Sequence, residues 1–596
     1  MAKKIWVAPF TKKNKGRLTF LTVMVTLLLV ILASRLCVLM LLEANAYNNK
    51  AIEVQERNRS IKAPRGVIYD RNGVVLAGNQ AVCTISVIHN QIKDPETVIK
   101  VLSDKLDIDE ATIREKVEKV SSREKIKSNV DIAVGNEIRN LNLAGVMVDE
   151  DYKRYYPYST LASKVIGFTG ADNQGIIGLE VKYDEVLMGQ NGSIDTLTDA
   201  AGREVKDAAE TRTEPIPGNN LITTIDVNIQ NYIEQKALEV LEKRNANRVC
   251  IIVMNPQNGE ILAMTDVPEY DLNNPFTLNY EILEGTEVNL DMLNAMWRNF
   301  CINDTYEPGS TFKIVTAASA FEKGVLTVND TFYCPGYRIV GDRKIKCHKV
   351  IGHGSETFRD GIMNSCNPVF MDIAGRVGVS DFYDTLEQLG LFEKTGVDLP
   401  GEASSIFHLE ENVGEVELAT MAFGQSFQIT PLQLMRAVAA VINGGTLVTP
   451  HFGLYVTDSN NNIIDKLSYP EEASYISEET SEIMKTLLED VVSEGTGKNA
   501  YVEGFSIGGK TATSEKLPRS SNKYISSFIG FAPAENPEVL TLILIDEPEG
   551  IYYGGTIAAP VVGDIYKNIL PYLGIEKEIA DTETEEPTMY FEDTVF

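Results

Sequence analysis

Residues 18–42 read LTFLTVMVTLLLVILASRLCVLMLL, an apolar run interrupted by one charge, Arg35. In hydrocarbon every backbone N–H and C=O must find its partner inside the segment, so such a run has to be helical. Its length suits the roughly 20 residues of a spanning helix. Lys3, Lys4, Lys12, Lys13, Lys15 and Arg17 precede it, with no acidic residue among them. A basic flank of this kind (residues 1–17) stays cytoplasmic and sends the chain after about residue 43 to the outer side. A cleaved signal peptide competes with this reading, but the run is long and no convincing small-x-small site follows. Arg35 either snorkels to the outer headgroups or pairs with a polar group of a partner membrane protein.

Beyond the anchor, a chain of 596 residues has room for two or three domains. Its 84 acidic and 55 basic residues give a net charge of −29, which argues against nucleic acid as a partner. Residues 576–596 contribute an acidic tail whose composition predicts disorder.

Residues 43–221 read as a β-rich pedestal. Its stretch RSIKAPRGVIYDRNGVVLAGN (59–79) carries the hairpin signal Asn72-Gly73, and a small helical insert is expected over 93–145. From residue 222 to 575 the pattern changes. VCIIVMNPQNGEILAM (249–264) predicts a hairpin, a helical middle follows, and FSIGGKTATSEK, YISSFIGFAPA and VLTLILID predict three successive strands. Strands at both ends of a domain with helices between them predict an α+β fold, one antiparallel sheet whose first and last strands meet.

Within this second region, YEPGSTFKIVTAASAFEKG (306–324) sets Ser310 three residues before Lys313. A helix cap is the plain reading of Ser310. The segment after it is apolar on most faces, however, which buries Lys313, and a buried ammonium loses its proton more readily. A depressed amine beside a hydroxyl is how a serine becomes a nucleophile. Two further pieces follow in order: Ser365-Cys366-Asn367 in GIMNSCNPVFMDI, and Lys510-Thr511-Ala512-Thr513 in IGGKTATSEK. S-x-x-K, S-x-N and K-T-x together form the signature of penicillin-binding proteins and serine β-lactamases.

On these motifs the sequence resembles the class B penicillin-binding proteins, monofunctional peptidoglycan D,D-transpeptidases of the division or sporulation branch. APRGVIYDRNGVVLA and GIIGLE with Tyr183 resemble the motifs of their pedestal, the dimerisation domain. YEPGSTFKI, NSCNP, GTGKNA and IGGKT resemble those of their transpeptidase domain. The resemblance implies an elongated pedestal, a five-stranded antiparallel sheet with helices on both faces, and covalent inhibition by β-lactam antibiotics. It also implies roles: Ser310 as nucleophile, Lys313 as base, Ser365 as proton relay, Asn367 as partner of Lys313 and substrate, Lys510 as charge for the substrate carboxylate, and Thr511 and Thr513 as its hydroxyl contacts. Backbone N–H groups of Ser310 and Thr513 would form the oxyanion hole. The implied partners are stem peptides, the membrane, a membrane-embedded glycan polymerase and division or sporulation proteins. Ala512 departs from the usual K-T-G. A penicillin sensor, a β-lactamase and a non-catalytic scaffold are the alternative readings.

The chemistry needs no cofactor, but the cysteines raise a separate question. Cys301, Cys334, Cys347 and Cys366 crowd the first two motifs together with His348 and His353. Disulfides, free thiols and a structural zinc site all fit. The metal reading selects Cys301, Cys347, His353 and Cys366, with Asp304 and Cys334 in reserve.

Overall fold

The computed structural model describes residues 12–44, 56–121, 123–197, 211–283, 285–473 and 475–577. Most of the basic segment and nearly all of the acidic tail lie outside these residues. The anchor is a helix, α1 (Lys12–Cys37), continued by a π-helical turn Val38–Leu42. Within residues 15–42 an 18-residue stretch reaches a mean hydropathy of 2.6. Inside it, Thr19, Thr22 and Thr26 donate their hydroxyls to the carbonyls four residues earlier, at 2.9, 2.8 and 2.8 Å. That leaves none of these hydroxyls unpaired in lipid. Arg35 pairs with Glu43 at 3.4 Å, so its charge leans toward the end of the apolar run.

The chain forms two compact units. One gathers the described residues within 12–63, 81–152 and 190–216. It holds the helical insert, with helices Pro95–Leu106, Glu110–Glu118 and Ile132–Asn140 and a strand Glu124–Asp131. The first two helices start on Asp94 and Asp109, whose carboxylates accept backbone N–H groups of the first turn. Val98, Ile99, Leu102, Ile113, Val117 and Ile126 close a small core of their own.

The other unit gathers the described residues of 64–80, 153–189 and 217–577. Two pedestal motifs meet in it. Arg65 of APRG and Glu180 of GLE, both without solvent exposure, pair at 2.6 Å. Arg154 takes the second carboxylate oxygen of Glu180, also at 2.6 Å, and Asp184 takes another nitrogen of Arg65 at 2.6 Å. Charges this deep persist only when each is paired and hydrogen-bonded.

The same unit contains the five-stranded sheet, entirely antiparallel. Its strands are β1 (Arg248–Met254), β2 (Ile261–Val267), β3 (Gly508–Glu515), β4 (Tyr524–Ala532) and β5 (Val539–Asp546), in the order β2-β1-β5-β4-β3. The first strand therefore pairs with the last, as the pattern predicts. Alternation along β1 divides two cores. Cys250, Ile252 and Met254 face one side, with Ile314, Leu434 and Leu488. Val249, Ile251 and Val253 face the other, with Ile229 and Ile233 of α2 (Val227–Arg244) and Val562 and Ile565 of a helix Ala559–Tyr572. Period-two burial on both faces is what a sheet between two helical layers demands. β3 lies at the open edge of this sheet.

Candidate active site

Pro308 and Gly309 turn the chain into a short 3₁₀ segment Gly309–Phe312, which runs into α3 (Lys313–Glu322). Gly309 has φ +60°, and a Cβ there would stand 2.3 Å from Ser514 Oγ of β3. Only glycine allows the turn to approach the sheet edge so closely. Phe312 anchors it from below, 4.6 Å from the ring of Phe427. Glu307, three residues before Ser310, is buried; it accepts the Ser426 N–H at 2.9 Å and pairs with Arg519 at 3.0 Å.

Ser310 lies half-buried at the start of this segment. Its hydroxyl makes no hydrogen bond among the described residues. The Lys313 amine, fully buried, is instead directed at the second motif. It donates to the Ser365 carbonyl at 2.8 Å and to Asn367 Oδ1 at 2.7 Å, and it meets Ser365 Oγ at 3.2 Å. Burial lowers its pKa to about 8, against the pull of Cys366, Cys347 and Glu356.

Ser365 reaches that position through a helix terminus. The helix α4 (Phe358–Met363) ends at Asn364, and the next N–H groups, of Ser365 and Cys366, bond back to the carbonyls of Ile362 and Gly361. This is the Schellman arrangement, whose left-handed position glycine usually occupies. Here Ser365 takes it with φ +53°. Asn367 then opens α5 (Asn367–Val377), and its Nδ2 donates to the Lys346 carbonyl at 3.2 Å.

The third motif is on the edge strand. Thr511 and Thr513 face the cavity, Thr511 Oγ1 lying 3.1 Å from Thr496 Oγ1. Lys510 is wholly buried, and burial first, then the charge of Lys313, pulls its pKa well below the usual lysine range. Ala512 is buried, its methyl 3.5 Å from where a Gly309 Cβ would stand. Ser310, Ser365, Asn367, Thr511 and Thr513 thus line one cavity of about 760 Å³, with Lys313 buried against its Ser365 and Asn367 wall. Among the described residues no aspartate or glutamate lines it.

The metal-ligand expectation requires correction. Cys334, Cys347, His353 and Cys366 bring their ligand atoms within 4.8 Å of one another. Cys301 and Asp304 are elsewhere. Asn299 caps a short helix Phe300–Asn303 that lays Cys301 against β2, its Sγ 3.7 Å from the Thr265 carbonyl, near Cys250. Asp304 pairs with Arg298 at 2.8 Å. Cys334 enters because the ladder of Thr331–Cys334 with Gly354–Thr357 sets it opposite Gly354, beside His353. All seven cysteines are free thiols. Cys347 Sγ lies 3.8 Å from His348 Nδ1 and 3.7 Å from His353 Nδ1, and the neighbouring Cys366 thiol favours its thiolate.

Residues 249–567 match the Penicillin binding protein transpeptidase domain family, and residues 60–223 match the Penicillin-binding Protein dimerisation domain family. Stage V sporulation protein D of Bacillus subtilis is 38% identical over 571 residues, covering 94% of this chain and 86% of that protein. Peptidoglycan D,D-transpeptidase FtsI of Escherichia coli K12 is 29% identical, covering 88% of this chain and 86% of its own length. Penicillin Binding Protein 2X from Streptococcus thermophilus has the same fold at TM-score 0.71 and 22% identity, covering 88% of this chain and 83% of that one. The chain belongs to the class B penicillin-binding proteins, the family of peptidoglycan D,D-transpeptidases.

Proposed function

We propose that this chain cross-links peptidoglycan stem peptides through an acyl-enzyme on Ser310. The observation that carries the reading is the convergence of Ser310, Ser365, Asn367, Thr511 and Thr513 on one cavity with Lys313 held against it. Ser310 Oγ attacks the carbonyl between the two terminal D-alanines, and the last one leaves. Neutral Lys313 keeps two N–H bonds, to the Ser365 carbonyl and Asn367 Oδ1, and its lone pair takes the serine proton. Ser365 Oγ, 3.2 Å from that nitrogen, passes the proton to the leaving amine. The open edge of β3 lets an extended peptide add as a further strand. Backbone N–H groups of Ser310 and Thr513 stabilise the oxyanion, a contribution of about 10²–10³ in rate per donor. An amine of a neighbouring stem peptide then takes the acyl group.

The anchor supports a single membrane pass with the basic N-terminus in the cytoplasm and residues 222–575 outside as the transpeptidase domain. Similarity to Stage V sporulation protein D supports a sporulation role. The four cluster residues suit zinc. Tetrahedral ligands about 2.3 Å from zinc stand roughly 3.8 Å apart, and Cys347 Sγ is 3.7 Å from His353 Nδ1. Such an ion would be structural, tying Cys366 and hence Ser365 and Asn367 to the neighbouring strands. Mass spectrometry of the intact protein with benzylpenicillin tests the central reading. A long-lived adduct mapped to Ser310 is expected; an unmodified protein, or an adduct on Ser310→Ala, overturns it.

A further inference from the structure

Among the described residues no aspartate or glutamate lines the cavity at Ser310, and two exposed lysines stand at its rim. Lys346 ends the hairpin strand Arg343–Lys346 and lends its carbonyl to Asn367. Lys498 opens the turn Lys498–Ala500, two residues after Thr496, whose hydroxyl meets Thr511. Neighbouring cations are neutralised or occupied: Arg338 is paired with Asp372, Arg343 lies 3.6 Å from Asp342, and Lys344 sits 3.8 Å over the Tyr337 ring. Lys346 and Lys498 form no ion pair or side-chain hydrogen bond among the described residues.

The net charge of −29 repels an anionic ligand at long range, so two uncompensated ammonium groups at the mouth reverse the local sign. We propose that Lys346 and Lys498 select the peptide by its free carboxylates outside the reacting amide, a preference additional to the carboxylate contacts expected of Thr511 and Thr513. This rests on the transpeptidase reading and names a substrate feature for it: a stem peptide with ionised carboxyl groups along its length is preferred over its amidated form. Exposed charge pairs are individually weak, and salt screens them.

The test measures D-alanine release by the full chain in detergent micelles, from two peptides ending in D-Ala-D-Ala. One keeps its other carboxyl groups free and the other has them amidated. The wild type should prefer the free form by roughly three- to tenfold in kcat/KM, mostly through KM, and less so in high salt. Lys346→Gln with Lys498→Gln should bring the ratio to about one, and Lys346→Arg with Lys498→Arg should restore it. Equal use of both peptides by the wild type, or an unchanged ratio in the double glutamine variant, overturns the inference. Penicillin labelling of the wild type separates the two failures: an adduct on Ser310 without charge preference sinks only the lysine rim, whereas no adduct and no release sink the transpeptidase reading.

Discussion

Arg519 holds Glu307 at 3.0 Å, and through it fixes the turn that presents Ser310. The guanidinium is over a third exposed, so the pair itself adds little to stability. Glu307 is buried and also satisfies the Ser426 N–H, so its loss has more to break. Glu307→Ala should cost about 1–3 kcal/mol, read as a lower Tm, and slow penicillin acylation. Arg519→Ala should leave Tm nearly unchanged while slowing acylation several-fold. Equal, unperturbed acylation in both variants would mean the turn holds itself.

Acylation should depend on pH through Lys313. The active form is the neutral amine, and burial sets its pKa at about 8. The second-order rate with benzylpenicillin should therefore rise about tenfold per pH unit below that value and level off above it. Stability follows the same group: an ordinary lysine titrates at 10.5, so the unfolded chain binds the extra proton between about 8 and 10.5 and folding gains with pH across that window. A rate that falls from pH 7 to 9 would remove Lys313 as base.

Metal content separates two candidate ligand sets. Purified protein should carry about one zinc, and Cys334→Ser should lose it while Cys301→Ser keeps it. A chelator should lower Tm in the wild type and Cys301→Ser and leave Cys334→Ser unaffected. Retention of zinc by Cys334→Ser would disprove the four-residue set.

Removing the Glu180 carboxylate leaves the buried Arg154 guanidinium without its ion-pair partner and Arg65 with Asp184 alone. Glu180→Ala should cost about 3–5 kcal/mol, and Glu180→Gln somewhat less, in thermal unfolding. A shift below 1 kcal/mol would show that water replaces the carboxylate.

The sequence made some of these relations legible and hid others. Strand periodicity and the order of the three motifs located the sheet and its cavity, because β-alternation and a buried S-x-x-K segment leave local marks. The direction of the Lys313 amine was less visible. It faces Ser365 and Asn367, which approach from 52 and 54 positions away. Cys301 against Cys334 was a matter of strand register: only the pairing of Cys334 with Gly354 brings it to His353, and spacing along the chain carries no trace of that. The meeting of Arg65 with Glu180, and of Glu307 with Arg519, is equally long-range. Cys250, the neighbour of Cys301, had no motif to flag it.

Ser365 sits where a helix end asks for glycine. Ser365→Gly should raise Tm slightly, by about 1 kcal/mol of relieved backbone strain, and should reduce acylation by at least about 10²-fold, since the proton relay disappears. A laboratory search for heat-resistant variants would thus drift toward inactive protein at this residue. Durability and turnover pull against each other on a single side chain, and a living cell keeps the less comfortable choice.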